Sequence, residues 1–191
     1  MKTDMILSVY QSPKTVFTLA DIAMLSGETD MISLSKKMNY YVKKGRLGNP
    51  RKGVYTKPGY QPEEMACAIF KPSYLSLEYV LQKAGVVFQY DSRFTSVSYL
   101  SRTVTVDGHV YIYRKIRNTM LLNTAGILTQ ENGISMAVPE RAFLDLCYLQ
   151  KHCYLDNLKP LDSKRIEEML AHYQSKAMTR RVKELMNSNG Y

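Results

Sequence analysis

The chain has 191 residues, 45% of them apolar, which is enough to bury a core, so global disorder is not expected. Its net charge of +9 favours an anionic partner, with nucleic acid ahead of an anionic membrane. No run of 18 apolar residues predicts a transmembrane helix, and the apolar stretch near Asp4 is too short for a signal peptide. We therefore expect a cytoplasmic protein without a membrane partner.

The positive charge is concentrated in the first third of the chain. Residues 1–60 hold ten Lys and Arg against four Asp and Glu, whereas residues 61–191 hold sixteen against thirteen. Eight of the ten lie in "KKMNYYVKKGRLGNPRKGVYTKPGY", residues 36–60, which contains no acid. This local imbalance predicts a surface that contacts a polyanion.

Two helices are predicted at the start of the chain. The first covers residues 1–10, places Met5, Ile6 and Val9 on one side, and is broken at Pro13. The second begins at Thr18 in "TLADIAMLSG", where Thr18 and an acid three residues later form the pattern of a capping box. A glycine at its end favours termination there.

A third helix is predicted over residues 31–44, after the turn "GETD". At about 100° per residue it has an apolar face, and Gly45 suits its end. The apolar face comprises Met31, Leu34, Met38, Tyr41 and Val42. The segment "RLGNPRKGVYT" then predicts a β-hairpin with its tight turn at Asn49 and Pro50.

This order predicts a winged helix-turn-helix domain over residues 1–60, with a domain boundary in "KPGYQPEE". Residues 61–191 are predicted to form a mixed α/β domain. It begins with helices in "QPEEMACAIF" and in "SLEYVLQKAG", the latter capped by Ser76 and ended by Gly85. Alternating strands follow between residues 86 and 116, with hairpins at Asp107-Gly108 and Asn132-Gly133.

Three helices are predicted to close the chain. One covers "VPERAFLDLCYLQKH" with Pro139 near its start, and the others lie near residues 162–173 and 178–187. The predicted fold class is therefore α+β, an N-terminal winged helix-turn-helix followed by a mixed α/β domain with antiparallel hairpins and C-terminal helices.

The third helix is the candidate for DNA recognition, because the second helix of a helix-turn-helix enters the major groove. Asn39 would bond an adenine edge, Lys36 or Lys43 would reach guanine or phosphate, and Tyr40 would pack on the backbone. The hairpin tip, residues 49–52, would contact flanking phosphates or the minor groove. The predicted DNA-binding residues are Ser33, Ser35, Lys36, Lys37, Asn39, Tyr40, Lys43, Lys44, Arg46, Arg51, Lys52 and Lys57.

A solvated basic face on an ordinary helical domain is the plain alternative to this interpretation. The coincidence of charge, helix-turn-helix order and a basic hairpin favours duplex DNA, with RNA binding and a protein-contacting winged helix as further alternatives.

Signals for catalysis or a cofactor are weak. None of the common nucleotide, hydrolase or zinc-protease motifs occurs, and we expect neither a catalytic residue nor a metal or cofactor.

Cys147 and Cys153, beside His152, match no common zinc spacing, so the three cysteines are expected to be buried free thiols. Asp145 is expected to be a structural partner of a nearby arginine or backbone group. Most of the fifteen tyrosines are expected in the core.

Three stretches in order resemble one known family. They are "FTLADIAMLSG" with "LSKKMNYYVKKGRLGNPRKGVYTKPGY", then "KPSYLSLEYVLQKAG", and then "AVPERAFLDLCYL", which is similar to the family pattern A-x-PEKALLDLLYL. They span residues 17–149. The chain thus resembles the AbiEi-type antitoxins, which are transcriptional regulators of type IV toxin–antitoxin and abortive-infection systems.

The resemblance implies a bacterial repressor that binds its own promoter, a double-stranded operator, through the N-terminal domain. It also implies that the C-terminal domain counters a nucleotidyltransferase-like toxin without needing a stable complex. Two alternatives stay open: a protein-interaction module that neutralises a partner with the winged helix as scaffold, and a nucleic-acid-processing enzyme. The oligomeric state is not predicted.

Overall fold

The computed structural model describes residues 4–188 and has a mixed α+β fold with two sheets. The helices are α1 (Met5–Gln11), α2 (Leu19–Ser26), α3 (Met31–Lys43), α4 (Pro62–Ile69), α5 (Leu77–Lys83), α6 (Asn118–Leu121), α7 (Pro139–Leu149), α8 (Ser163–Leu170) and α9 (Lys176–Ser188), with a 3-10 helix at Ala171–Tyr173. The strands are β1 (Val16–Thr18), β2 (Gly48–Arg51), β3 (Val54–Thr56), β4 (Ser73–Leu75), β5 (Phe94–Ser98), β6 (Arg102–Val106), β7 (His109–Lys115), β8 (Ile127–Thr129) and β9 (Ser135–Ala137). The start of the helix predicted over residues 1–10 lies outside the described residues. Within the described part of the chain, no helix has the length and apolar character needed to cross a membrane.

The first sheet is antiparallel, with the strand order β1-β3-β2. Strand β1, at one edge of this sheet, was not predicted, because three residues are too few to produce a period-two pattern. Helices α1, α2 and α3 share one apolar cluster with this sheet. The buried members of the cluster are Ile6, Val9, Phe17, Ile22, Leu34, Met38, Leu47 and Tyr55.

The helix ends in this part follow the predicted cap residues. The Thr18 side chain accepts a hydrogen bond from the Asp21 amide, and the Asp21 carboxylate accepts one from the Thr18 amide, which confirms the capping box. Gly27 follows α2 in the left-handed conformation, φ 65°, and Gly45 does so after α3, φ 68°. The three predicted helices are therefore confirmed in order, but α1 begins later than predicted, at Met5, where the Asp4 side chain caps it.

The hairpin turn is not where the sequence pattern predicted it. Asn49 and Pro50 lie within β2, and the reversal occurs at Lys52-Gly53, flanked by the Arg51–Val54 pair. Gly53 has φ 79°, a conformation that glycine adopts without steric cost. Pro50 is tolerated because β2 is an edge strand. The side-chain Nδ2 of Asn49 donates hydrogen bonds to the backbone carbonyls of Arg51, at 3.0 Å, and Val54, at 2.7 Å, and so stabilises the hairpin.

The second sheet is mixed, with the order β6-β7-β5-β4-β9-β8. The β5–β7 and β4–β9 pairs are parallel, and the other pairs are antiparallel. The Asp107-Gly108 turn joins β6 and β7 as predicted, with Val106 opposite His109. The predicted turn at Asn132-Gly133 is also present, within the longer loop between β8 and β9.

A buried carboxylate on α7 links the second sheet to the helices that pack beside it. Asp145 of α7 is fully buried and accepts four hydrogen bonds. Arg141 Nε, at 3.1 Å, and the Tyr173 hydroxyl, at 2.6 Å, donate to Oδ1. The hydroxyls of Tyr74 and Ser76 donate to Oδ2, each at 2.9 Å. The Ser76 side chain therefore does not cap α5, although Ser76 stands at the predicted cap position.

The partner guanidinium of Arg141 is also buried and fully engaged. Its Nη2 group donates to the Tyr74 hydroxyl at 2.9 Å and to the Met120 carbonyl at 2.8 Å, and Nη1 donates to the carbonyls of Asn123 and Ala125. Burial alone would lower the pKa of Arg141, but the carboxylate of Asp145 raises it above its usual value. The expected structural role of Asp145 is confirmed.

The segments on either side of the predicted boundary near residue 60 are in contact. The buried Glu64 carboxylate accepts hydrogen bonds from the amides of Thr15, at 2.6 Å, and Val16, at 2.9 Å. Lys71 forms an ion pair with Asp21 at 3.3 Å. One apolar cluster includes residues from both segments, for example Val16 and Met65. The division at residue 60 stays a prediction, and the two segments pack as neighbours.

Candidate nucleic-acid interface

Helix α3 separates its residues into a packed face and a solvent face. Leu34 and Met38 are fully buried against the first sheet. Lys36, Asn39 and Lys43 are exposed and lie on the opposite side, at spacings of three and four residues. From Lys36 to Lys43 this face extends about 10 Å along the helix. Among residues 4–188, no carboxylate forms an ion pair with either lysine, so their charge is available to solvent anions.

The N-terminal end of α3 is less cationic than its middle. The Asp30 carboxylate accepts hydrogen bonds from the amides of Ile32 and Ser33, at 3.0 and 3.2 Å, and thus occupies the position that a phosphate would take at a helix N-terminus. Ser33 and Ser35 are only half-exposed. Of these two predicted contact residues, Ser33 therefore lies beside a fixed negative charge.

Lys37 is also partly neutralised. Its ammonium donates a hydrogen bond to the Glu28 carboxylate at 2.6 Å, and this bond raises the pKa of Lys37 above its usual value. Lys37 lies at the edge of the solvent face, on the side of the turn that joins α2 to α3. Among the predicted contact residues of α3, Lys37 is the one that forms an ion pair within residues 4–188.

The C-terminal end of α3 carries an aromatic and cationic group. Tyr40 is 56% exposed, its ring lies edge-on to Tyr41, and the Lys44 ammonium lies 5.8 Å from the Tyr40 ring centre. Arg46, just past the helix, is exposed, and its carbonyl accepts a hydrogen bond from the Tyr10 hydroxyl. The loop that follows α3 is thereby fixed to α1, so this end of the surface has a defined shape.

The hairpin contributes fewer exposed charges than predicted. Lys52 is exposed at the turn, as the prediction requires. Arg51 is half-buried, with its guanidinium 5.9 Å from the centre of the Phe70 ring. Lys57 is half-buried and donates to the carbonyls of Tyr10, at 3.1 Å, and Ser12, at 2.6 Å.

The contacts of Lys57 identify it as a link between β3 and the end of α1. Burial lowers the pKa of Lys57, while the charge of Glu64 opposes this shift. Of the predicted set, Lys57 and Arg51 are therefore directed towards the protein itself. Lys36, Asn39, Tyr40, Lys43, Lys44, Arg46 and Lys52 form what we call the α3–hairpin surface.

Two apolar side chains were misjudged or missed. Met31, predicted on the packed face, stands at the first position of α3 and is 42% exposed. Ile32 is 71% exposed and lies on the same side as Lys36 and Asn39. Helical periodicity alone places Ile32 on the solvent face of α3, but Ile32 is not among the predicted contact residues because its side chain is apolar. A solvent-facing isoleucine on this face could contact a thymine methyl group.

Metal ligation and the buried ion pair of α7 provide no second candidate site within residues 4–188. Within residues 4–188, no group of three or more His, Cys, Asp or Glu side chains is placed to hold a metal ion. The buried Asp145 and Arg141 are saturated by protein groups, which leaves no donor or acceptor for a substrate.

Comparison with known proteins adds no family assignment. The chain was compared with protein-family models and with curated proteins, and neither comparison found a match.

Proposed function

We propose that residues 1–60 form a winged helix-turn-helix that binds duplex DNA through the α3–hairpin surface. The observation that carries the proposal is the solvent face of α3, where Lys36 and Lys43 have no carboxylate partner within residues 4–188. The order helix–strand–helix–helix–strand–strand and the sheet order β1-β3-β2 support it, since that arrangement positions a third helix beside a hairpin.

Four residues of this surface, together with the neighbouring Ile32, have chemical roles in the proposed complex. With α3 in the major groove, the Asn39 amide would pair with the N6 and N7 atoms of an adenine, and Ile32 would contact a thymine methyl group. Lys36 and Lys43 would reach phosphates or guanine edges. The Lys52 ammonium, at the hairpin turn, would contact a phosphate beside the groove. The Asp30 carboxylate would keep the helix N-terminus away from the phosphate backbone.

We further propose that the DNA site lies upstream of the protein's own reading frame, so that the protein represses its operon. The full chain should bind a duplex of that region more tightly than a scrambled duplex of equal length. Asn39→Ala should weaken binding to the upstream duplex by about 1–3 kcal/mol, because one bidentate base contact is lost, and leave the scrambled duplex unaffected. Equilibrium binding by fluorescence anisotropy measures both values.

The matched control for this experiment is Asn118→Ala, which truncates an exposed asparagine of α6 outside the surface. It should bind both duplexes like the unmodified chain. Equal affinity of the unmodified chain for the upstream and scrambled duplexes would refute the operator proposal. A uniform loss on both duplexes for Asn39→Ala would refute its role in reading bases.

The antitoxin role proposed here rests on the resemblance to AbiEi-type antitoxins. Residues 61–191 would counter a nucleotidyltransferase-like toxin, and the α3–hairpin surface would not take part. Co-expression of the full chain with a nucleotidyltransferase-like protein encoded beside it should restore growth of toxin-expressing cells. The Lys36→Ala, Lys43→Ala, Lys52→Ala triple variant should restore growth equally well. No restoration by the unmodified chain would remove the antitoxin proposal and leave the DNA-binding proposal intact.

A further inference from the structure

The outer strands of the two sheets differ in how far they are protected against pairing with another chain. In the part of the chain that the structure describes, the outer strands are β1 and β2 in the first sheet and β6 and β8 in the second. Strand β2 contains Pro50 and a register shift against β3. Strand β1 has three residues, and the Glu64 carboxylate accepts a hydrogen bond from its Val16 amide at 2.9 Å. Strand β8 also has three residues. Proline, irregular register, covered amides and short length are the features that prevent pairing at a sheet edge.

Strand β6 has none of these protecting features. It pairs with β7 without interruption over five residues, Arg102–Val106, and contains no proline and no acid. Thr103 and Thr105 are exposed and share one face of the strand, whereas Val106 is buried against the core. A regular edge of this length is a template on which a further strand can form.

The turn of the β6–β7 hairpin shows which backbone groups of β6 point outwards. The Asp107-Gly108 turn has positive φ at both residues, 47° and 79°, as in a two-residue type I′ turn. Val106 and His109, which flank this turn, therefore form a hydrogen-bonded pair. Because such pairs alternate along an antiparallel ladder, the amides and carbonyls of Thr103 and Thr105 point away from β7. Elsewhere among residues 4–188, no loop or side chain forms a hydrogen bond with these groups.

We propose that β6 pairs antiparallel with β6 of a second copy of the chain, so that the two six-stranded sheets continue into one another across a two-fold axis at Val104. In this register Thr103 of each chain lies opposite Thr105 of the other chain, and each such pair exchanges two hydrogen bonds. The outward amides and carbonyls of both edges are thereby paired. The contact includes no residue of the α3–hairpin surface, so its test is independent of the proposed DNA binding.

A second copy is favoured over an unrelated strand because the edge is complementary to itself. Threonine opposite threonine is a favourable cross-strand pair. Arg102 lies opposite Val106 of the second copy, so the one charge of each strand faces no like charge. A slip by one residue would place Thr103 and Thr105 opposite residues whose backbone groups point to β7, and these hydrogen bonds would be lost. The pattern of the strand therefore specifies both the occupant and the register.

Analytical ultracentrifugation of the full chain over a range of concentrations tests the proposal. The unmodified chain should form a dimer at high concentration that dissociates on dilution. The double variant Thr103→Lys, Thr105→Lys places lysines opposite one another and should weaken dimerisation roughly tenfold. Thr103→Glu, Thr105→Glu should weaken it similarly. A mixture of the two variants should restore dimerisation, because each lysine then faces a glutamate.

The matched control is Thr119→Lys, Thr124→Lys, which adds the same charge at two exposed threonines outside the second sheet. It should dimerise like the unmodified chain. Because chains must be folded to pair in the mixture, restored dimerisation there separates a disrupted contact from a misfolded variant.

Val104→Cys tests the register. Position 104 of each chain faces its own copy at a non-hydrogen-bonded position, where opposite residues are closest, so mild oxidation should give a covalent dimer through this position. Val110→Cys, at a half-buried position of the inner strand β7, should give none, and the unmodified chain with its free cysteines provides the background. Peptide mass mapping identifies the cross-link.

Five results would each overturn the proposal. They are a monomeric unmodified chain at every concentration, dimerisation unchanged by the lysines at β6, equal loss of dimerisation in the control variant, no restored dimerisation in the mixture, and no cross-link through position 104 beyond that of Val110→Cys.

Discussion

Asp145→Asn is expected to lower the free energy of unfolding by about 3–5 kcal/mol, which is the usual cost of removing one partner of a buried ion pair. The loss arises because Arg141 would stay charged and buried while its only carboxylate within the described chain is gone. The hydroxyls of Ser76 and Tyr173 would also face an amide that accepts fewer hydrogen bonds. Urea denaturation followed by circular dichroism measures the change.

The control for Asp145→Asn is Glu131→Gln, which neutralises an exposed carboxylate in the loop between β8 and β9. It changes the net charge by the same amount and should shift the unfolding free energy by less than about 0.5 kcal/mol. Equal midpoints for the two variants would mean that the buried pair does not support α7 and the neighbouring elements as described.

The local elements of the fold could be predicted because each carries its own signal. Thr18 and Asp21 reveal the start of α2, and Asp107-Gly108 marks a two-residue hairpin turn. Such signals depend on residues a few positions apart, which a single sequence displays directly. Asp145 was expected to have a structural partner for a similar reason, since Arg141 stands one helical turn before it.

The long-range arrangement could not be predicted in the same way. The parallel pairing of β4 with β9 joins residues about sixty positions apart, and no local pattern specifies it. The hairpin turn was misplaced because Asn49-Pro50 is a common turn pair, whereas both residues lie in the edge strand β2, where its register against β3 shifts between Gly48 and Arg51. Whether such a residue pair forms a turn or part of a strand depends on the order of the strands in the sheet, and that order depends on the whole chain.

In the candidate site, too, the local features could be predicted from the sequence and the long-range contacts could not. Helical periodicity alone predicted that Lys36, Asn39 and Lys43 would share an exposed face. It could not predict that Lys57 would bind the carbonyls at the end of α1 or that Arg51 would lie against Phe70, because these partners come from other elements. The run of positive charges therefore predicted more contact residues than the surface offers. Once the tertiary contacts are taken into account, seven residues of the predicted set remain in the α3–hairpin surface.

The triple variant Lys36→Ala, Lys43→Ala, Lys52→Ala is expected to lose a large part of the affinity for duplex DNA at low salt. Each phosphate contact contributes about −0.9 to the slope of log K against log salt, through release of condensed counterions. Losing three contacts should make the slope shallower by roughly 2.7. All three side chains are exposed and form no ion pair within residues 4–188, so their removal should leave the fold unchanged.

The matched control is Lys115→Ala, Lys159→Ala, Lys164→Ala, which removes three exposed lysines from residues 61–191 and lowers the net charge equally. It separates a local contact from a general effect of charge. Unfolding curves of both variants should overlay that of the unmodified chain.

Salt titration of DNA binding by these three proteins tests the central claim most directly. We expect a steep slope for the unmodified chain, nearly the same slope for the control variant, and a slope shallower by roughly 2.7 for the α3–hairpin variant. Equal slopes for the two triple variants, or no binding of duplex DNA by the unmodified chain at low salt, would contradict the assignment of α3 and the hairpin turn as a DNA-binding surface.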